Sequence, residues 1–362
     1  MADWSKWDYY QDFEIDPAQV DADLTDFPVY LNGADLPSDH KIWTDAQASG
    51  GDVKASITDD TEIPIEIVTF DQAGNDFEIH AKPTTVSSTV PTTVRLNFAN
   101  PADTAHAEDA AYGRENVWNS DYFAVWHLGE DGNTDVGGYS DSTANDNDGT
   151  GVSMSPSSDV PGQIGMGQEF DATDPDYIQM STQVLSGAAW SISAWVYPHR
   201  YGGANTGNGI FHQDAVGANL GTNLMVFDGN APFGNNNLGG RTNASSGFLE
   251  SDDNSISLNT WQHVVMTNNA GSVSWYVDSV AAGTSAGNSG VAEVASNAYI
   301  GTWYDAASNR SYDGVIDEVR AASVERAAAW ISAEFNNQDS SSTFYSLPRA
   351  IQRHRNRVMS LS

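Results

Sequence analysis

Short runs rich in Val, Ile, Thr and aromatic residues fill most of the chain, separated by Gly, Asn, Asp and Ser at intervals of roughly eight to twelve residues. That rhythm predicts an all-β protein built from sandwiches. In the first third, segments 63–69, 77–81 and 93–98 read as strands, and Pro64 near the start of the first suits a sheet edge better than a sheet centre. In the second half, Trp190, Ile192, Ala194 and Val196 alternate with Ser191, Ser193, Trp195 and Tyr197. One face of this strand is therefore apolar, and the other offers flat rings to a second surface. Segments 261–267 and 273–280 predict a hairpin across Asn268-Asn269-Ala270-Gly271. One helix is predicted, capped by Ser323, with Glu325 in its first turn and Ala327, Trp330, Ile331 and Phe335 on one face.

A chain of 362 residues suits two β domains. The boundary falls where Ala and charged residues replace strand formers over 105–115, before Val117-Trp118. The expected division is an N-terminal β-sandwich over 1–115, a second sandwich over 116–345 and a tail over 346–362. The tail opens with Leu347-Pro348 and carries Arg349, Arg353, Arg355 and Arg357. It reads either as solvated chain or as an assembly anchor onto an acidic neighbour, dispensable for folding in both cases. There is no cysteine, which excludes disulfides, thiolate metal sites and a cysteine nucleophile.

Charge narrows the setting. The net charge is −34, with 36 Asp and 13 Glu, and lysine only at Lys6, Lys41, Lys54 and Lys82. Such a surface repels itself in dilute buffer, whereas molar salt shortens the Debye length to about 3 Å. The composition points to brine and a halophilic source, the alternative being an acidic surface protein of a marine organism. Nucleic acid is not an expected partner, because phosphate binding relies on clustered Lys and Arg. No apolar run reaches about 18 residues, so no membrane-spanning helix is expected. The segment Met1-Ala2-Asp3-Trp4-Ser5-Lys6-Trp7-Asp8 lacks the features of a secretory signal. This favours assembly in a host cytoplasm and release in a virion over secretion to a cell surface.

Several motifs occur together in order: Asn116-Val117-Trp118, 122–130, 141–150, Gly162-Gln163-Ile164-Gly165, Phe170-Asp171, Asp176-Tyr177-Ile178, 190–197, 261–265, Trp275-Tyr276-Val277-Asp278 and 314–320. Together they resemble the laminin-G-like (concanavalin-type) jelly roll over roughly 116–345. Segments 24–29, 62–66 and 330–338 resemble an uncharacterised domain that commonly precedes such jelly rolls in prokaryotic surface proteins and phage virions. The jelly-roll family often has glycine after the aspartates here numbered Asp171 and Asp278. This chain has Ala172 and Ser279, which disfavour a positive φ at those turns.

Candidate chemistry follows from residue type. Asp141, Asn145, Asp146 and Asp148, with Asn147 and a turn at Gly149, supply hard oxygens for Ca2+ without EF-hand spacing. The resemblance implies that Asp317 could approach this loop; the alternative is a solvated acidic turn. Trp118, Trp126, Trp195, Trp261 and Trp275 read as core. Tyr201, Phe233, Arg241, Trp303 and Tyr304 lie in Gly- and Asn-rich connections and are the candidates for glycan contact. Gly283-Thr284-Ser285-Ala286-Gly287 matches G-x-S-x-G but lacks a following helix, no H-E-x-x-H occurs, and no glucanase-like E-x-D-x-x-E strand is present. The expectation is a non-enzymatic virion structural protein, such as a capsid turret, baseplate or tail-fibre subunit. Its partners would be other virion subunits, its own copies in a homo-oligomer, and host-surface glycan or glycoprotein. A secreted adhesin and a polysaccharide-acting enzyme or its binding module stay open as alternatives. The charge carries the first test: the melting temperature should rise between low salt and molar KCl, and a flat or falling curve would exclude the brine origin.

Overall fold

The computed structural model describes residues 2–118, 121–173, 176–202, 207–214, 221–227, 235–243, 247–287, 292, 297–303, 310–348 and 350–353. Strands dominate these residues, and no helix among them is long and apolar enough to cross a membrane. The chain forms two units, Met1–Asn119 with Ser332–Ser362, and Ser120–Ile331.

The first unit is organised around the strand Tyr9–Ile15, whose inward positions Phe13 and Ile15 are fully buried. Along one side it pairs over its whole length with Thr92–Phe98, followed by Lys54–Ser56 and Glu62–Ile63. Pro64 interrupts the next run, because it has no N–H to give a ladder. The chain resumes as Ile65–Asp71, the edge of a separate three-stranded sheet with Asp76–Ala81 and Val29–Asn32. The expected single strand over 63–69 is thus two strands in two sheets, and the proline sits between two sheet edges.

The division expected at residue 345 is corrected. The helix Ala328–Asp339 begins later than predicted, and from Ser332 onward the chain completes the first unit. Ser323 does not cap it: Ser191 Oγ on a neighbouring strand donates to Val324 O and accepts from Arg326 N, holding 323–327 outside the helix. Asn337 then serves the sheet edge, its Oδ1 accepting from Tyr30 N at 2.7 Å and its Nδ2 donating to Tyr30 O at 2.9 Å. The side-chain amide thereby replaces a neighbouring strand for one residue. Tyr345 Oη accepts from Asn32 N and donates to Asp35, and burial raises its pKa well above the usual phenol range.

The tail is also corrected in part. Tyr345–Ser346 and Ile351–Gln352 pair with the two ends of Tyr9–Ile15, and Gln11 Nε2 reaches Pro348 O at 2.7 Å in the gap between them. Arg353 is therefore not a free anchor. Its backbone N donates to Asp8 O, its guanidinium donates to Asn97 Oδ1 at 2.7 Å and approaches Asp60, and it stacks 4.9 Å from the Tyr10 ring. Arg349, Arg355 and Arg357 lie outside the described residues.

The second unit is a sandwich of two antiparallel sheets. The eight-stranded sheet centres on Ala189–Pro198, between Gly314–Ala322 and Gln262–Asn269. The seven-stranded sheet runs Gly149–Val152, Tyr177–Met180, Asn297–Ile300, Asn208–Asp214, Thr222–Val226, Leu238–Arg241 and Leu249–Glu250. Trp126, Trp190, Ile192, Met266, Trp275 and Ile316 interleave with Ile178, Ile300, Phe211, Leu224 and Leu238 in one core. Trp195 is also buried, as is Trp118 in the first unit, whereas Trp261 is only half-buried and packs on Tyr197. The predicted hairpin turns on Ala270 and Gly271 (φ 50° and 92°), the pair of positive angles a two-residue turn requires. The following turn uses Asp278 and Ser279 (φ 48° and 64°) without glycine. Asp278 Oδ1 accepts from His263 N, which helps hold the strained backbone. Ala172 is not among the positive-φ residues.

Deleting 347–362 should destabilise the first unit by on the order of 2 kcal/mol, since it removes backbone pairing and the Arg353 contacts. Faster amide exchange along 9–15 and 92–98 in the truncated protein would show it; unchanged protection there would mean the tail is dispensable for folding.

Candidate functional site

The acidic loop does gather Asp141, Asn145, Asp146 and Asp148, but its oxygens face the backbone. Asp141 Oδ1 accepts from Val125 N and Thr143 N, and Oδ2 accepts from Asn147 N and Thr143 Oγ1, all within 2.9–3.0 Å. Burial raises its pKa, and these donors oppose the rise. Asp148 Oδ1 accepts from Asp141 N, and the Asn145 amide donates to the carbonyls of Tyr122 and Phe123. Asp146 is exposed with φ 51°. Asp317 does not join them: its Oδ2 accepts from Gln163 N and Ile164 N, closing the 162–165 turn. Among the described residues, no three of these four carboxylates converge within reach of one ion. The loop's order has a sufficient cause in carboxylate-to-amide hydrogen bonds.

The five loop residues expected to meet a glycan divide. Phe233 and Tyr304 lie outside the described residues. Tyr201 packs against the core and donates through Oη to Ile256 O. Trp303 is buried in a small cluster with Met225 and Phe227, and Phe248 packs on it at 5.8 Å, edge to face. Arg241 stacks over Phe248 at 4.0 Å, and Arg310 stands 5.5 Å over Trp303.

Register places Arg241 at the end of a row that spacing along the chain does not reveal. Gln179 pairs with Tyr299, Tyr299 with His212, His212 with Asn223, and Asn223 with Arg241. Alternation turns all five away from the core, because Ile178, Ile300, Phe211 and Leu224 take the inward positions. The row spans four strand spacings, about 19 Å. Tyr177 meets Tyr299 edge-on at 5.9 Å, and the His212 ring lies nearly parallel to Tyr299 at 6.1 Å. Gln179, Tyr299 and Arg241 are half-exposed, whereas His212 and Asn223 are 0% and 1% exposed. Neither ring nitrogen of His212 has a hydrogen-bond partner, nor does Asn223 Oδ1. Burial holds the His212 pKa down to about 3, so the imidazole is neutral, with Asp214 Oδ2 at 3.8 Å from Nε2.

A second concavity, a cleft of about 580 Å3, is lined by Ser153, Ser155, Ser158, Glu169, Asp171 and Asp313 among others. Two of its acids are committed: Asp313 pairs with Arg200 at 2.9 Å, and Asp171 accepts from Thr173 N. Ser285, the centre of the G-x-S-x-G match, lies in the strand Val280–Ala286. Its Oγ accepts from Trp275 Nε1 and donates to Glu250 O. It forms no nucleophile elbow.

Asp141→Ala should cost about 2–4 kcal/mol of stability, by leaving several buried donors unmet. The loss should be the same in EDTA as in added calcium. A loss seen only with calcium present would instead make Asp141 a ligand.

No curated protein matches this sequence. Among solved structures, domain 4 of AbnA, an extracellular arabinanase from Geobacillus stearothermophilus solved with arabinotriose, is 18% identical with a TM-score of 0.45, covering 59% of this chain and 98% of that one. The binding domain of Paraclostridial Mosquitocidal Protein 1 is 13% identical (TM-score 0.40), with 58% of this chain and 52% of that chain covered, so the match spans about half of the toxin domain. A heptameric pentraxin from Limulus polyphemus is 17% identical (TM-score 0.33), covering 45% and 75%. Residues 172–332 match the Laminin_G_3 family, described as the concanavalin A-like lectin/glucanases superfamily. With the two-sheet sandwich, this match identifies the second unit as a laminin-G-like, concanavalin-type jelly roll.

Proposed function

We propose that the jelly roll is a non-catalytic glycan-binding module that takes its ligand across the outer face of the seven-stranded sheet. The observation that carries the reading is the transverse row. It sets the half-exposed rings of Tyr177 and Tyr299 beside buried His212 and Asn223, whose ring nitrogens and Oδ1 respectively have no hydrogen-bond partner among the described residues. Flat, half-exposed rings stack on the apolar faces of sugars. An unpartnered buried polar group costs about 1–3 kcal/mol, so this stretch of the sheet is not optimised for stability alone. A family of lectins and glucanases is consistent with this use of the fold. A hydrolase reading is disfavoured, because Ser285 is held as a structural hydrogen-bonding group and Glu130 and Asp141, whose pKa values burial raises, both accept backbone N–H groups.

At the finer level, we read the protein as a virion structural subunit of a halophilic host's virus, assembled in the host cytoplasm as a homo-oligomer and displaying the jelly roll outward. The acidic composition and the resemblance to virion and surface proteins support this. Capsid, portal or tail genes beside this one would bear the virion role out; secretion and cell-wall anchoring genes would overturn it.

The binding face is tested in molar KCl against a panel of immobilised polysaccharides. Tyr299→Ala should weaken retention at least roughly tenfold, by removing a stacking ring. His212→Phe should weaken binding while raising stability by about 1 kcal/mol, because an orphan polar group leaves the interior. Since the folded His212 titrates far below the unfolded value near 6.5, wild-type stability should fall as pH drops from about 6.5 towards 3, by up to about 1.4 kcal/mol per pH unit. His212→Phe should remove that part of the slope. Wild-type protein that retains no polysaccharide, or variants that bind like wild type, would sink the reading.

A further inference from the structure

We infer that His40 is a pH-sensitive catch for the C-terminal segment 345–353: the neutral ring holds Gln11 in the one orientation that bonds Pro348, and the protonated ring lets that segment lift from the edge of Tyr9–Ile15. All the groups involved belong to the first unit. The hydrogen bonds form a directed chain. Ile42 N donates to His40 Nδ1 at 3.2 Å, and a backbone N–H can only donate, so Nδ1 carries no proton. The proton of the neutral ring is therefore on Nε2, which donates to Gln11 Oε1 at 3.1 Å. Gln11 Nε2 in turn donates to Asp12 O at 2.6 Å and to Pro348 O at 2.7 Å. Carbonyl oxygens can only accept, so the Gln11 amide cannot flip without setting its own oxygen against two others. Each link thus fixes the polarity of the next, from the turn at 40–42 to the arch of the C-terminal segment.

A proton added at Nδ1 faces Ile42 N–H, donor against donor. The ring then has to turn, and turning carries Nε2 away from Gln11 Oε1. The segment is otherwise held by ladders of two residue pairs at either end and by Arg353. His40 and Gln11 are buried, and the imidazole packs 5.7 Å from the Phe98 ring. Burial holds the His40 pKa below the usual imidazole value, and exposed Asp39 offsets part of the shift. Neighbouring Lys41 is exposed, and Tyr9 stacks on Phe98 at 5.6 Å. Asp35 accepts from Ser341 and Tyr345. Asp12, Arg95, Asp60 and Arg353 cluster around Tyr10 on the opposite face of the strand, where alternation also places Glu14. With the segment lifted, His40 meets water and titrates near the ordinary value of about 6.5. The closed form is therefore favoured above about pH 6.5 and loses ground below it, by up to about tenfold per unit until the closed form is itself protonated. Acidification thereby frees backbone groups along one side of Tyr9–Ile15.

Hydrogen exchange of the full-length protein in molar KCl tests the catch, with amide protection factors over 345–353 compared at about pH 7.5 and about pH 5, above the carboxylate range. Wild type should lose roughly tenfold protection there at the lower pH. His40→Gln keeps a donor for Gln11 but does not titrate, and should show the same protection at both values. Gln11→Leu removes the catch, and should show low protection at both. The other histidines are common to all three proteins and cancel in the comparison. Wild-type protection that ignores pH, a pH response that survives His40→Gln, or a Gln11→Leu protein as protected as wild type near pH 7.5 overturns the inference. If the variants unfold, imidazole nitrogen NMR on wild type decides. His40 protonated on Nε2 and titrating below about 6.5 supports the catch, whereas a proton on Nδ1 or a pKa at or above that value overturns it.

Discussion

Much of this architecture depends on aspartate side chains that capture backbone N–H groups. Without cysteine and with few lysines, the chain closes many of its turns by carboxylate-to-amide hydrogen bonds. Asp52 joins Gln47 N to Asn100 N, Asp71 closes the turn at Ala73 and Gly74, Asp141 gathers the 123–148 region, and Asp317 fixes Gln163 and Ile164. Such bonds are charge-assisted and short-ranged, so salt that screens surface charge leaves them largely intact. Acidity therefore has two separable roles here, one on the surface and one inside the loops.

This double role also sets how much of the protein was legible in its sequence. Strand alternation at 189–198 gave the core strand and its apolar face directly, since period two is a local property. The same oxygen atoms that suggested calcium at Asp141 and Asp148 serve as turn acceptors, and residue type does not separate a metal ligand from an amide acceptor. The helix was expected too early because Ser323 and Glu325 satisfy the local rules for a start. What overrides them is Ser191, a residue more than a hundred positions away in sequence. Asn337 lies within a resembling segment, but its use as a one-residue strand substitute depends on a distant edge at Tyr30.

The proposed binding face is the least legible part. Arg241 and Trp303 were singled out as loop residues, yet Tyr177, Tyr299, His212 and Asn223 come from four strands that only register brings into line. The signal available in the sequence was weak: polar or aromatic residues at the outward positions of strands whose inward positions are apolar. Such positions are ordinarily solvated and uninformative. The distinguishing fact is burial without hydrogen bonding at His212, which is a three-dimensional property. It also implies local cost, because a buried polar group without a hydrogen bond is destabilising.

The return of the chain from Ser332 to Tyr9 has a consequence for biosynthesis. The second unit is continuous, so a ribosome delivers all of its strands in one stretch and it can close while the rest is still being made. The first unit begins earlier and finishes later: the contact between Gln11 and Pro348 spans 337 residues. Until residues 345–352 emerge, one side of Tyr9–Ile15 offers a row of unpaired backbone groups, the kind of edge through which nascent chains associate wrongly. Glu14 lies on that strand, a charged residue of the kind that blunts open edges, whereas Asp12 is paired with Arg95.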